Sequence, residues 1–303
     1  LARIKGRKSF LVSDWNRLLL APEPLTTLPF APWRPGTIAL DEGLTRKALQ
    51  KEYLWVFRQM NEPLRTDVTP FFWLAEVSTL ATCLRNLAGG RQPDESILRE
   101  SLLNDGIRSM LLEQTNVLAA VAALAADISR YDARFSQLPE IFRHGGSGAL
   151  EAALYDFCLE YFSSSRIHPL TGRYIAQLID SRNLIATGKQ LRWRLSAGPQ
   201  LLQGGTIRLS SLQELFSRQD RAGLAALAGR LARRNNETGQ QDELEHIILE
   251  SQGELLCRMA REPGSVGTIL DYLWRCSVES RNIGLLSQLG VAGVDAVGEE
   301  IHQ

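Results

Sequence analysis

GRYIAQLIDSRNLIATGK, at residues 172–189, sets the architecture, because the same polar phrase stands at two other places in the chain. FFWLAEVSTLATCLRN occupies 71–86 and DYLWRCSVESRNIGLLSQ occupies 271–288. Aligned on the acid, Glu76, Asp180 and Glu279 coincide; Thr79, Asn183 and Asn282 follow three positions later, then Leu80, Leu184 and Ile283. The copies lie roughly a hundred residues apart, a period too long for a solenoid unit and suited to a small domain repeated three times.

A second phrase precedes each copy of the first. LVSDWNRLLL (11–20), LLNDGIRSMLL (102–112) and IRLSSLQELF (207–216) each join apolar residues to a Ser, Asp or Asn turn and then to an amphipathic turn of helix. Ser13, Asp105 and Ser210 are of the types that accept a hydrogen bond from an orphan N–H in a helix's first turn. Each unit then runs from a capped short helix to a long polar-tipped one. With joints at Gly89–Gly90 and in the glycine-containing stretch 198–205, the expected units are 1–95, 96–197 and 198–303.

Helical periodicity dominates between these landmarks. Leu44, Leu49, Tyr53, Val56 and Met60 predict a helix over 41–60 started by Asp41, and residues 107–127 read as a helix buried on nearly all sides. HGGSG at 144–148 reads as a flexible turn before a helix carrying Leu150, Leu154, Phe157 and Tyr161. Leu244, Ile248, Leu255 and Met259 share one face of a helix over about 240–261, ended by Pro263 and Gly264; a last long helix follows over 266–289. Five prolines between Pro22 and Pro35 each remove a backbone donor, so an irregular connection is expected there.

Composition narrows the function. The 303 residues are 44% hydrophobic, ample for buried cores, and the 34 basic residues balance 34 acidic ones. A neutral total gives no field that favours nucleic acid or an anionic bilayer. The longest apolar run, Val117 to Ala126, is half the length of a bilayer span. Cys83, Cys158, Cys257 and Cys276 are scattered and sit in apolar helical contexts, and the start at Leu1 shows no leader pattern, so a reducing cytoplasm is expected.

Enzymatic signatures are weak. Gly188–Lys189 lacks the earlier glycine and the following Ser or Thr of a phosphate loop, with Asn183 and Gln190 in those places, and it falls near a helix end that offers carbonyls to cations. His144, His168, His246 and His302 are isolated, so neither a metal nor a cofactor is called for. The polar phrase itself has two uses. Acid and amide three apart share a helix face and can lock a neighbouring loop or helix end, the commoner employment of buried polar groups. Alternatively the three phrases face one axis and line a socket for a partner. The residues for that role are Glu76, Arg85, Asp180, Arg182, Asn183, Lys189, Glu279, Arg281 and Asn282, with the cluster Arg230, Arg233 and Arg234 a further candidate for an acidic partner.

At these residues the chain resembles the family of central-stalk C subunits of bacterial and archaeal V/A-type ATPases, whose counterpart in the eukaryotic vacuolar enzyme is the d subunit. The matching stretches are ARIKGRKSFLVSDWNRLL, YIAQLIDSRNLIATGK, LLQGGTIRLSSLQELF and VESRNIGLL. The first copy departs in Thr79, and the last has Gln288 where Arg85 and Lys189 stand in the others. The resemblance implies an all-α body of three similar helical subdomains around a pseudo-threefold axis, shaped like a funnel. It implies a non-catalytic rotor part without cofactor, peripheral on the cytoplasmic face of the membrane. Its partners would be the central-shaft subunits and the membrane proteolipid ring, with no nucleic acid and no small-molecule substrate. A helical adaptor or regulator unrelated to rotary motors is the competing class, and a helical hydrolase built from remote residues a third.

Overall fold

The computed structural model of the chain describes residues 2–12, 15, 42–231 and 242–292. Among the described residues every regular element is helical, as the periodicity predicts. In chain order these are α1 (Ala2–Lys8), α2 (Glu42–Gln59), α3 (Glu62–Ala88), α4 (Glu95–Arg99), α5 (Asp105–Glu113) and α6 (Val117–Ile128). A 3₁₀ turn (Ala133–Gln137) leads into α7 (Leu138–Ser164), and then follow α8 (Pro169–Trp193), α9 (Leu209–Ser217), α10 (Arg221–Leu231), α11 (Asp242–Met259) and α12 (Val266–Ala292). The proline-rich stretch 22–35, Ser13, Asp41, Arg233, Arg234 and His302 lie outside the described residues.

The chain divides into two compact bodies, one of residues 1–52 and 169–303 and the other of 53–168, with α2 straddling the division. In the second body α3 packs against α6 and α7, and α7 against the 3₁₀ turn. Asn61 starts α3 by accepting the Leu64 N–H, with Pro63 in the first turn where no donor is missed. Pro70 inside the same helix removes one ladder bond. Apolar burial offsets that loss: Tyr53, Phe57, Phe71 and Phe72 meet edge to face, and Trp73 packs in the same way on Tyr131 and Phe162.

Three expectations change here. The cap of α5 is Asn104, whose side chain takes the Ile107 N–H at 2.8 Å; Asp105 is already helical and pairs with Arg108 one turn on. The run 107–127 breaks into α5 and α6 at Asn116, which caps the second piece, and α6 buries only the face of Ala120, Val121, Leu124, Ala125 and Ile128, leaving Leu118 exposed. The expected turn at 144–148 is reduced to a single non-helical residue, Gly146. Two helical pieces of α7 meet there at a kink, and the Gly146 φ of 66° is one that only glycine adopts without strain.

In the first body α8 packs against α9, α10 and α11, α11 against α12, and α1 against α12. Leu184 and Leu191 of α8 meet Leu212, Leu224, Leu244 and Ile248 in one buried cluster. Gly188 is inside α8, which runs past Lys189 to Trp193. The start of α9 has Arg208 at its cap position without a side-chain bond, so Ser210 sits in the first turn and does not cap it. In the first turn of α12, Gly267 has no room for a side chain: a Cβ there would come 2.0 Å from the Met259 carbonyl oxygen.

Candidate functional site

The repeated phrase lies on three long helices, α3, α8 and α12, and each acid reaches the backbone of the second repeated phrase or of a residue beside it. On α8, Asp180 is fully buried. Its Oδ2 accepts the Thr206 N–H at 3.0 Å and the Thr206 hydroxyl, and its Oδ1 accepts the Ile207 N–H at 2.9 Å. One turn along, Asn183 locks the same connection farther back: its amide donates to the Leu202 carbonyl at 2.9 Å and accepts the Leu202 N–H at 2.8 Å. Two side chains on one helix face thus satisfy five groups of the segment that enters α9.

Close approach is what this geometry demands of the intervening residues. A Cβ on Gly205 would fall 2.2 Å from Asp180 Oδ1, and Gly204 has a φ of 96°. Only glycine lets the backbone come that near at the one position and turn that way at the other.

The same bond recurs in the other two copies. In the second body Glu76 Oε1 accepts the Leu102 N–H at 2.7 Å, two residues before the cap of α5. In the first body Glu279, 2% exposed, accepts the Val12 N–H at 2.9 Å. Leu102, Thr206 and Ile207, and Val12 all belong to the second phrase or stand beside it. Burial raises the pKa of Glu76, while the Leu102 N–H, Thr79 and the more distant Arg108 pull it back only partly.

The nine residues drawn from the sequence therefore separate into two kinds. Asp180, Asn183, Glu279 and Asn282 are buried and Glu76 is mostly so, whereas Arg85, Lys189 and Arg281 are exposed and Arg182 is half-buried. The acids and Asn183 are turned to backbone groups of their own body. Arg85 leans on its own helix, bonding the Ala81 carbonyl and the Thr82 hydroxyl. Arg230, at the end of α10, is exposed as well.

A second set of ties was not anticipated. Glu52, 2% exposed, takes the Tyr272 hydroxyl at 2.7 Å and the guanidinium of Arg7; Asp271, 1% exposed, takes Lys8 and, at 3.1 Å, Arg275. These bonds tie α1 to Glu52 of α2 and to Asp271 of α12 within the first body. The signal available in the sequence was acid placed within apolar helical stretches, since Glu52 and Asp271 interrupt otherwise buried faces. Desolvation raises the pKa of Glu52 against the lowering effects of Tyr272 and Arg7, and burial pushes the Tyr272 hydroxyl up.

Among the described residues no His, Cys, Asp and Glu side chains gather into a group that could hold a metal ion, and no helix is long and apolar enough to cross a membrane. What the arrangement does chemically is to hold the connecting backbone at Val12, Leu102 and Thr206–Ile207 to long helices through carboxylate acceptors. A family model described as the ATP synthase (C/AC39) subunit matches residues 34–292. No curated protein matches the chain.

Proposed function

This chain belongs to the ATP synthase (C/AC39) subunit family and so is a subunit of a V/A-type rotary ATPase; from that premise we propose that it is the non-catalytic rotor coupler. In this reading it joins the central shaft to the membrane proteolipid ring of a proton- or sodium-translocating enzyme and transmits torque. It rests peripherally on the cytoplasmic face through its protein partners. The three-unit division 1–95, 96–197 and 198–303 is part of the same proposal.

The observation that supports this reading is the recurrence of one bond, from an acid in a long helix to a backbone N–H in or beside the second repeated phrase, at Glu76, Asp180 and Glu279. A part that passes torque has to resist shear between its own helices. Charge-assisted bonds to otherwise orphan N–H groups supply that resistance without using any outward-facing group. The exposed members of the phrase, Arg85, Lys189 and Arg281, are the groups for contact with a shaft or ring of complementary charge.

The test is reconstitution of the rotary complex in vesicles with and without this chain. Omitting it is expected to leave ATP hydrolysis by the catalytic head while ATP-driven ion uptake falls to background. Replacing Arg85, Lys189 and Arg281 together by Glu is expected to weaken assembly with the shaft, read by co-purification. Ion uptake that persists in complexes shown to lack the chain overturns the proposal.

A further inference from the structure

The neutral total of the chain hides a local imbalance. From Arg182 to Arg230, the stretch that builds the end of α8, then α9 and α10, eight basic residues stand against two acidic ones, Glu214 and Asp220. The ends of these helices meet in the first body. Arg221, the first residue of α10, donates to the Leu191 and Arg192 carbonyls at 2.9 and 3.3 Å, and α9 closes just before it with Arg218 at its cap position. Both acids are already engaged there, Glu214 with Arg218 and Asp220 with the Gly223 N–H at 2.7 Å.

Trp193, the last residue of α8, is 62% exposed, and Leu195 two positions on is 43% exposed. Exposed arginines flank the indole on both sides, Arg192 and Arg194. The backbone that carries them is strained. Arg194 has a φ of 51° in a helix-ending turn closed by the Leu195 N–H on the Gln190 carbonyl at 3.1 Å, a position that favours glycine. Arginine near a helix end ordinarily serves the dipole and the last carbonyls, which accounts for Arg221. It does not account for an indole held out in water between two guanidinium groups, nor for a charged side chain at the left-handed position. A ring beside guanidinium groups on a protruding helix end matches the headgroup layer of a bilayer, where the ring enters the apolar boundary and the cations meet phosphate. A protein partner would need a preformed pocket for the ring, whereas a headgroup layer deforms around it.

We propose that this end of α8 binds the surface of an anionic bilayer, Trp193 and Leu195 entering the headgroup layer and Arg192, Arg194 and Arg218 meeting lipid phosphates. The isolated chain carries this contact without a shaft or a ring, so it stands apart from the rotor reading.

Co-sedimentation of the full chain with vesicles of equal parts phosphatidylglycerol and phosphatidylcholine, and with vesicles of phosphatidylcholine alone, tests the surface. Binding to the mixed vesicles is expected to be roughly tenfold tighter and to weaken as salt is raised. Arg194→Gly, which suits the left-handed backbone, is expected to lose about fivefold. Trp193→Ser removes a solvent-facing ring and is expected to lose about as much, together with the shift of tryptophan emission to shorter wavelength that the wild type shows on the mixed vesicles. Equal affinity for the two vesicles, binding to neither, or Trp193→Ser binding as tightly as the wild type overturns the proposal. So does capture of a detergent-solubilised proteolipid ring, free of vesicles, that is lost in Trp193→Ser, since the ring would then be the partner of this face.

Discussion

Glu279 accepts the backbone N–H of Val12 at 2.9 Å across 267 residues of sequence. The bond ties the last long helix to the segment that follows α1, and it repeats what Glu76 does for Leu102 and Asp180 for Ile207. Replacing Glu279 by Ala removes the buried carboxylate that accepts the half-buried Val12 N–H, with an expected loss of about 2 kcal/mol in urea unfolding. Glu279→Gln, which keeps an oxygen, is expected to lose less than half of that. Equal losses in the two variants would mean that packing, and not the Val12 bond, carries the effect.

Gly205 and Gly148 make a contrasting pair. A Cβ on Gly205 overlaps Asp180 Oδ1, whereas nothing lies within 4 Å of one on Gly148, which is inside α7. Gly205→Ala has to push the carboxylate off Thr206 and Ile207 and is expected to destabilise by about 2–3 kcal/mol. Gly148→Ala is expected to be neutral or to stabilise by about 0.5–1 kcal/mol. Denaturation midpoints of the two variants, measured side by side, check both signs.

Glu52 sets a pH dependence whose direction follows from its burial. Its pKa in the folded chain is raised above the 4.5 of an exposed glutamate, so between the two values the folded chain binds more protons than the unfolded one. The contribution of this group to stability is therefore highest below about pH 4.5 and declines as pH rises through the folded pKa. Glu52→Gln does not titrate. Its stability relative to the wild type is expected to improve as pH is raised across that window, and a difference that does not change with pH would refute the assignment.

Thiol reactivity reports burial directly. Cys83, Cys158 and Cys276 are buried and free, their thiols raised in pKa chiefly by desolvation, while Cys257 is half-exposed on α11 beside Arg261. Thiolate is the reacting species. At about pH 8 a disulfide reagent is expected to modify Cys257 first and the other three only after unfolding, which peptide mapping of the labelled chain resolves. Early labelling of Cys158 would place it outside the core.

The repeated phrase was visible because its spacing is covalent: Glu76, Asp180 and Glu279 sit at matching points of apolar helical stretches, and the second phrase precedes each. That the two phrases bond to each other was not visible, since the donors at Val12, Leu102 and Ile207 are backbone N–H groups, which every residue except proline carries. The same limit explains why Asp105 and Ser210 looked like caps. Which residue of a polar cluster takes the cap position depends on where the chain first turns helical, and Asn104 and Arg208 stand there.

The helices, the limits of most of them and the family of the chain follow from the amino-acid order alone, because apolar period, proline and glycine act over a few residues. Tertiary structure decided which polar residues are spent inward and which are left outside. Asp180, Asn183 and Glu279 serve the fold because other segments deliver donors to them, and Arg85, Lys189 and Arg281, within about ten positions of the acids along the same helices, stay at the surface. It also decided that Glu76 keeps an oxygen without a donor and Asp180 does not. The physical reason is that a hydrogen bond is satisfied in space. Two acids in equivalent frames differ only through the number of donors that the facing segment brings within about 3 Å.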